Sequence, residues 1–181
     1  MSKLVEKKIS SQTVYKGNFL DVKKDNVMLP NGKNSTREWI NHPGAVVIVP
    51  ILPNGKIALI RQFRYAMGSE FIELPAGKID KGETPDECAI RELEEEIGFK
   101  TKNLNFIAMI HPAIGFTNEN MSLYLATDLV QTNINRDSDE FIELMPTSLE
   151  HALNLLWSNK ITDVKTIIGI LWYQKIYQES K

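Results

Sequence analysis

The sequence predicts a mixed α+β fold in which a mixed β-sheet is sandwiched between helices and preceded by an antiparallel strand segment. Three observations carry that expectation. Strand-like patterns come first, one central helical pattern follows, and further strands then give way to two C-terminal helices. The tetrapeptide PNGK occurs twice, at 30–33 and 53–56, each time between extended patterns. The run AVVIVPIL is almost wholly apolar and β-branched, as in a strand buried on both faces.

Asn-Gly is a strong hairpin signal because it tolerates positive φ at both turn positions. The first PNGK joins FLDVKKDNVML to STREWINH, and the second joins GAVVIVPIL to KIALIRQFRYA, so two hairpins are expected. FIELPAGKI, residues 71–79, reads as a strand broken by Pro75 and Gly77. A helix is expected from about Thr84 to Ile97, with Thr84 as N-cap, Pro85 at the first helical position and Gly98 as the stop. LNFIAMI and MSLYLATDL then read as strands separated by the loop HPAIGFTNEN, and FIELM makes another short strand. TSLEHALNLLWSNK is an amphipathic helix behind a Ser or Thr cap. In the last helix Val164, Ile167, Ile168, Leu171 and Trp172 form one apolar stripe. Residues 1–40 are read as an N-terminal β segment that packs as a small subdomain or pairs with a second subunit, and 41–181 as the main domain.

Composition narrows the function. At 181 residues, 43% hydrophobic and 24% charged, the chain can bury a core of ordinary size. A net charge of −2 gives no general attraction to nucleic acid or to an anionic membrane. No window reaches the roughly 18 apolar residues of a membrane span, and the N-terminus lacks the apolar core of a secretory signal. Cys88 is the single cysteine, so no internal disulfide forms. Its apolar helical setting marks a small core residue, and a cytoplasmic location is expected.

The central helix carries the chemistry. On a wheel of about 100° per residue, Ala89, Ile90, Leu93 and Ile97 share an apolar stripe. Glu92, Glu95 and Glu96 crowd an adjoining arc, with Glu96 nearest the stripe, while Glu94 and Arg91 point elsewhere. A solvated acidic face sits opposite a core, whereas carboxylates at its edge suffer both mutual repulsion and desolvation. Hard cations such as Mg²⁺ reverse both effects. Glutamate-rich surface helices are common, so spacing alone leaves both readings open.

Read from Gly77, the sequence runs Gly, five residues, Glu83, seven residues, then Arg91-Glu92-Leu93-x-Glu95-Glu96-x-Gly98-Phe99. This resembles the Nudix box position for position, with Phe99 in the last slot where Ile, Leu or Val is usual. The chain is therefore similar to Nudix hydrolases, which cleave nucleoside diphosphates linked to another moiety. LPNGKNSTREWINHPGAVVIVP, LIRQFRYAMGSEFIELPAGKID and DEFIELM extend the likeness to the ADP-ribose pyrophosphatase and nucleoside diphosphate sugar hydrolase branch.

The resemblance implies a Nudix fold, with the box at 77–99, and a site that holds Mg²⁺, with Mn²⁺ as substitute. Metal ligands are then Glu92, Glu95, Glu96 and the carbonyl of Ala76. Glu83 and Arg91 are supporting residues, the arginine holding box glutamates in place. Arg64, and secondarily Arg61, bind the diphosphate, and Glu73 lies near the terminal ribose and metals. Trp39 stacks on the nucleobase from the partner subunit of a homodimer. Glu140, in NRDSDEFIEL, is the first choice for general base, with Asp139 and Glu143 behind it. One departure weakens the choice of ADP-ribose over sugars such as GDP-mannose or ADP-glucose: Ile114 stands where the branch usually has proline, and Pro112 lies two positions early. His111 beside it is read as a structural turn residue or a substrate contact. A nucleotide sensor without catalysis is a further alternative, disfavoured because every box glutamate is present.

Overall fold

A computed structural model of the protein describes residues 3–132 and 141–179. They form two compact units, Met1–Gly44 with Ala113–Asn120, and Ala45–Pro112 with Met121–Lys181.

The first unit is built on an antiparallel sheet in the order β1 (Lys7–Lys16), β2 (Asp21–Met28) and β3 (Asn34–Ile40). The hairpin joining β2 and β3 forms as expected, but through a different turn. Gly32 N–H donates to Leu29 O at 2.9 Å, Leu29 N–H donates to Lys33 O at 2.8 Å, and Gly32 alone takes positive φ, 81°. Pro30 fixes the negative φ of a type I turn, so the loop closes with a glycine bulge instead of two left-handed residues. Segment Ala113–Asn120 adds to β3: Ile40 N–H donates to Phe116 O at 2.8 Å and bridges to Thr117. All ten residues of β1 are exposed, Ile9, Val14 and Tyr15 among them.

The second unit holds a four-stranded sheet, β7 (Ala76–Lys78), β4 (Ala45–Pro50), β9 (Met121–Gln131) and β8 (Phe99–Ile110), in which β4 and β9 are parallel. A three-stranded antiparallel sheet follows the order β10 (Ile142–Thr147), β5 (Ile57–Arg64) and β6 (Ser69–Glu73). Every residue of β4 is buried. Val46 and Ile48 pack with Cys88, Ala89 and Leu93 of the central helix. Val47 and Val49, facing the other way, pack with Leu156, Ile170 and Tyr173 of the C-terminal helices. The mixed sheet between helices is thus observed.

The second hairpin is not. The 53–56 turn closes, with Gly55 N–H on Leu52 O at 2.8 Å, but β4 and β5 enter different sheets and share only the bridge Ile51–Ile57. The turn specifies a reversal, whereas the backbone groups of β4 are taken by β9 and β7.

Helix α1 (Pro85–Glu92) starts on the expected cap, Thr84, which forms a full capping box with Glu87. The expected helix to Ile97 changes character after Glu92: Leu93–Ile97 is a wider π-helical turn, closed by Gly98 at φ 72°. Ile90, expected in the apolar stripe, is 40% exposed, while Cys88, expected in the core, is fully buried. Helix α2 (Leu149–Trp157) is capped by Ser148. In α3 (Val164–Glu179) the buried residues are Lys165, Thr166, Gly169, Ile170 and Tyr173. At about 100° per residue this face lies nearly half a revolution from the expected stripe. Valine and tryptophan at the stripe's ends, Val164 and Trp172, are exposed. Gly169 explains the choice: a Cβ there would lie 2.3 Å from Leu74 Cδ1, so only this face lets the helix approach so closely.

Candidate active site

The capping box and the π-helical turn set the box glutamates along one edge of the helix. Glu92 and Glu96 are buried, at 8% and 3% exposure, and Glu95 is half-buried. Arg91 gathers the carboxylates. Its Nε and Nη2 donate to Glu83 at 2.8 and 2.9 Å, and its Nη1 donates to Glu92 at 2.7 Å and Glu95 at 2.8 Å. The hydrogen bond from Arg91 pulls the Glu83 carboxyl down to about 2, against the opposing effect of burial and with help from the Asp80 N–H. The same carboxylates, Glu83 foremost, hold the guanidinium charged well above its ordinary range. Glu96 turns the other way and accepts the Ala76 N–H at 3.1 Å. Glu94, as expected, points outward, to Lys100 at 3.0 Å.

Two further contacts fix this edge. Tyr124 on β9 donates to Asp86 in the first turn of α1 at 2.5 Å. Gly77 lets Glu92 lie directly over the β7 backbone, since a Cβ there would fall 1.8 Å from Glu92 Oε1. Cys88 Sγ approaches the Lys78 carbonyl at 3.5 Å, and burial pushes its thiol up to about 12, so it is an inert core residue.

A second constellation joins β5, β6 and α3. Arg64 donates from Nε and Nη2 to the two oxygens of Glu73, each at 2.7 Å. Lys165 in the first turn of α3 also donates to Glu73 Oε2 and, at 2.9 Å, to Asp163. Glu73 is 2% exposed; burial pushes its carboxyl up, but Arg64 and Lys165 outweigh that and hold it below the usual range. Glu73 holds Arg64 charged against burial, and Glu96 and Asp163 add to the effect, so the two constellations share one field. Thr166 Oγ1 accepts the Leu74 N–H at 2.8 Å and donates to Asp163 at 2.6 Å, which locks the end of β6 to α3.

The expected residues are not all in one place. Glu92, Glu95, Glu96, Ala76, Glu83 and Arg91 form one cluster, and Arg64 with Glu73 the other. Arg61 stands three residues from Arg64 on β5, so strand alternation turns it to the opposite face. There it lies 3.7 Å from Glu143, in a groove of about 410 Å³ with Phe63, Glu70 and Phe141. Trp39 is half-buried on β3 of the first unit, opposite Lys23. Glu140 and Asp139 lie outside the described residues. Lys165, Asp163 and Thr166 escaped the sequence reading; the available signal was a lysine in a helix's first turn, where the dipole disfavours a cation.

As arranged here, the described residues hold no set of three acidic, histidine or cysteine side chains converging as a cation cage, because Arg91 stands among the carboxylates. The donor chemistry nonetheless fits a hard divalent ion. Glu92, Glu95 and Glu96 are oxygen donors at one helix edge, two of them buried, and the Gly77 cradle admits a carboxylate against bare backbone.

Residues 41–165 match the NUDIX domain family, and residues 6–40 match the nucleoside diphosphate sugar hydrolase N-terminal domain. An ADP-ribose pyrophosphatase of Bacillus subtilis (strain 168) is 40% identical over 176 residues, covering 96% of this chain and 95% of the relative. A methanol dehydrogenase activator of Bacillus methanolicus is 36% identical over 177 residues, covering 96% of each chain. A crystal structure of an ADP compounds hydrolase superposes with a TM-score of 0.89 at 24% identity, over 99% of this chain and 98% of that one. That likeness speaks to the fold alone.

Proposed function

The chain belongs to the Nudix family, and on that premise we propose that it is a Mg²⁺-dependent pyrophosphohydrolase that splits ADP-ribose into AMP and ribose 5-phosphate. The observation that carries the proposal is the helix edge at which Glu96 accepts the Ala76 N–H, Glu92 lies over the Gly77 cradle and Arg91 ties Glu95 to Glu92. Those three glutamates, with the Ala76 carbonyl, are the residues that would hold Mg²⁺, or Mn²⁺ in its place. A bound divalent ion supplies neutralisation of the diphosphate charge and a more acidic water.

The chain's own side chains do the rest. Arg91 spaces the carboxylates and offsets their repulsion until the substrate arrives. Arg64 commits Nε and Nη2 to Glu73, and its side chain remains 43% exposed, so its outer edge is available to a diphosphate oxygen. Trp39 of the partner subunit is proposed to stack on the nucleobase, and Glu140 is the proposed general base.

The fully exposed β1, with Ile9, Val14 and Tyr15 uncovered, supports a homodimer formed through the strand-rich N-terminal unit. Sedimentation analysis should return twice the chain mass of 20.6 kDa. No helix among the described residues is long and apolar enough to cross a membrane.

A second reading, a broader nucleoside diphosphate sugar hydrolase, is favoured by Ile114, which is 82% exposed where the branch usually carries proline. Comparing kcat/KM for ADP-ribose, ADP-glucose and GDP-mannose with Mg²⁺ decides between them. The proposal requires ADP-ribose to rank first, and equal or faster turnover of GDP-mannose would overturn it.

A further inference from the structure

Lys165 is a buried cation, 7% exposed, that the reaction outlined above does not use. Three costs attach to its position. It loses its hydration, it sits in the first turn of α3 where the helix dipole is positive, and it joins Arg64 on a carboxylate already held by a bidentate arginine. For packing alone an apolar side chain would serve as well, since buried ion pairs are often replaced by hydrophobic residues without loss of stability.

The arrangement makes sense if Arg64 has to serve two anions. Glu73 is 2% exposed, and a buried carboxylate stripped of its counter-ion is strongly unfavourable. Were Arg64 the sole partner of Glu73, each shift of the guanidinium toward a diphosphate would expose that penalty and weaken binding. Lys165 is the partner that stays. Its side chain is 9% exposed against 43% for Arg64. Asp163 holds it from the other side at 2.9 Å, and the same Asp163 oxygen caps the Thr166 N–H at 3.1 Å, so the ammonium is anchored to the helix end. Thr166 fixes Leu74, the residue after Glu73, to the same turn.

We infer that Lys165 is a positioning residue for substrate binding: it keeps Glu73 neutralised so that the Arg64 guanidinium can turn its charge to the substrate diphosphate. The inference rests on the reading of Arg64 as the diphosphate-binding arginine. It concerns affinity, not the chemical step, because an interaction of Arg64 equal in ground and transition states alters KM and leaves kcat.

Steady-state kinetics of K165M and K165R test it, using whichever of ADP-ribose, ADP-glucose and GDP-mannose the wild-type protein hydrolyses fastest. K165M should raise KM about tenfold or more with kcat within about threefold, and K165R, which keeps the charge, should restore KM to within about threefold of wild type. An unchanged KM in K165M or a fall in kcat alone would overturn the inference. If K165M does not fold, E73Q and E73Q/K165M are compared instead. The neutral amide needs no second cation, so equal KM values are expected, and a rise in the double variant would refute the idea. Preference for a substrate other than ADP-ribose would refute the proposed substrate while leaving this test intact. Turnover of none of the three would remove both.

Discussion

The Gly77→Ala substitution separates the role of Glu92 in the reaction from its role in the fold. A Cβ at residue 77 would lie 1.8 Å from Glu92 Oε1 and 1.9 Å from its Cδ, whereas real Cβ contacts essentially never fall below 3.0 Å. The carboxylate must therefore retreat by at least 3.0 − 1.8 = 1.2 Å. The obstructing atoms are the far end of a flexible side chain, so the retreat costs the fold little, and the change in melting temperature should be small. The reaction is less forgiving, since a misplacement of about 1 Å in a catalytic array costs on the order of 10²-fold in rate. The retreat also disturbs the 2.7 Å bond to Arg91, which spaces the remaining glutamates. We expect G77A to melt within a few degrees of wild type (about 1 kcal/mol or less of destabilisation) and to lose on the order of 10²-fold in kcat for ADP-ribose at saturating Mg²⁺. A variant that keeps more than about half of the wild-type kcat would show that Glu92 is not held where it is for catalysis, against the expected loss.

Glu96→Gln keeps the side-chain shape and the Ala76 contact but removes the charge, so kcat should fall by about 10²-fold or more while circular dichroism is unchanged. Glu94→Gln, which removes an ion pair with the half-exposed Lys100, should leave kcat within about twofold under the same assay. Gly169→Ala drives a methyl group to 2.3 Å from Leu74 Cδ1 and 3.3 Å from Val49 Cγ2. Overpacking of this kind costs about 1–3 kcal/mol, at about 2–4 °C of melting temperature per kcal/mol for a chain of this size, and is read by calorimetry. Glu83 titrates at about 2 in the folded chain instead of its ordinary 4.5, so it contributes stability above pH 4.5 that disappears as the pH falls toward 2. Glu83→Gln should flatten that acid limb in urea melts taken across the same range.

What the sequence reveals and what it conceals divide along the range of the interactions. The Thr84 cap, the Gly98 stop and the glutamate edge are fixed within a few turns of one helix, and they could be read from spacing. Even there the wheel failed for Ile90, because the buried arc extends through Glu92 and Glu96 toward Cys88 and leaves Ile90 at its outer edge. The fate of β4 and β5 was not legible: a proline-asparagine-glycine turn reverses the chain but does not say which sheet each strand enters. The facing of α3 was concealed for a related reason. The helix is apolar on most of its circumference, and its orientation is decided by Gly169 against Leu74 and by Lys165 reaching Glu73, 92 residues earlier. That long-range pair also accounts for the burial of Glu73, whose oxygens accept from Arg64 and Lys165.

Phosphorus NMR of ADP-ribose incubated with the purified protein tests the central claim most directly. With Mg²⁺ present, the two diphosphate resonances should be replaced by the phosphomonoester resonances of AMP and ribose 5-phosphate in equal amounts, and chelation of the metal should stop the conversion. Persistence of the diphosphate resonances with Mg²⁺ present, or undiminished conversion in the presence of chelator, would contradict the account.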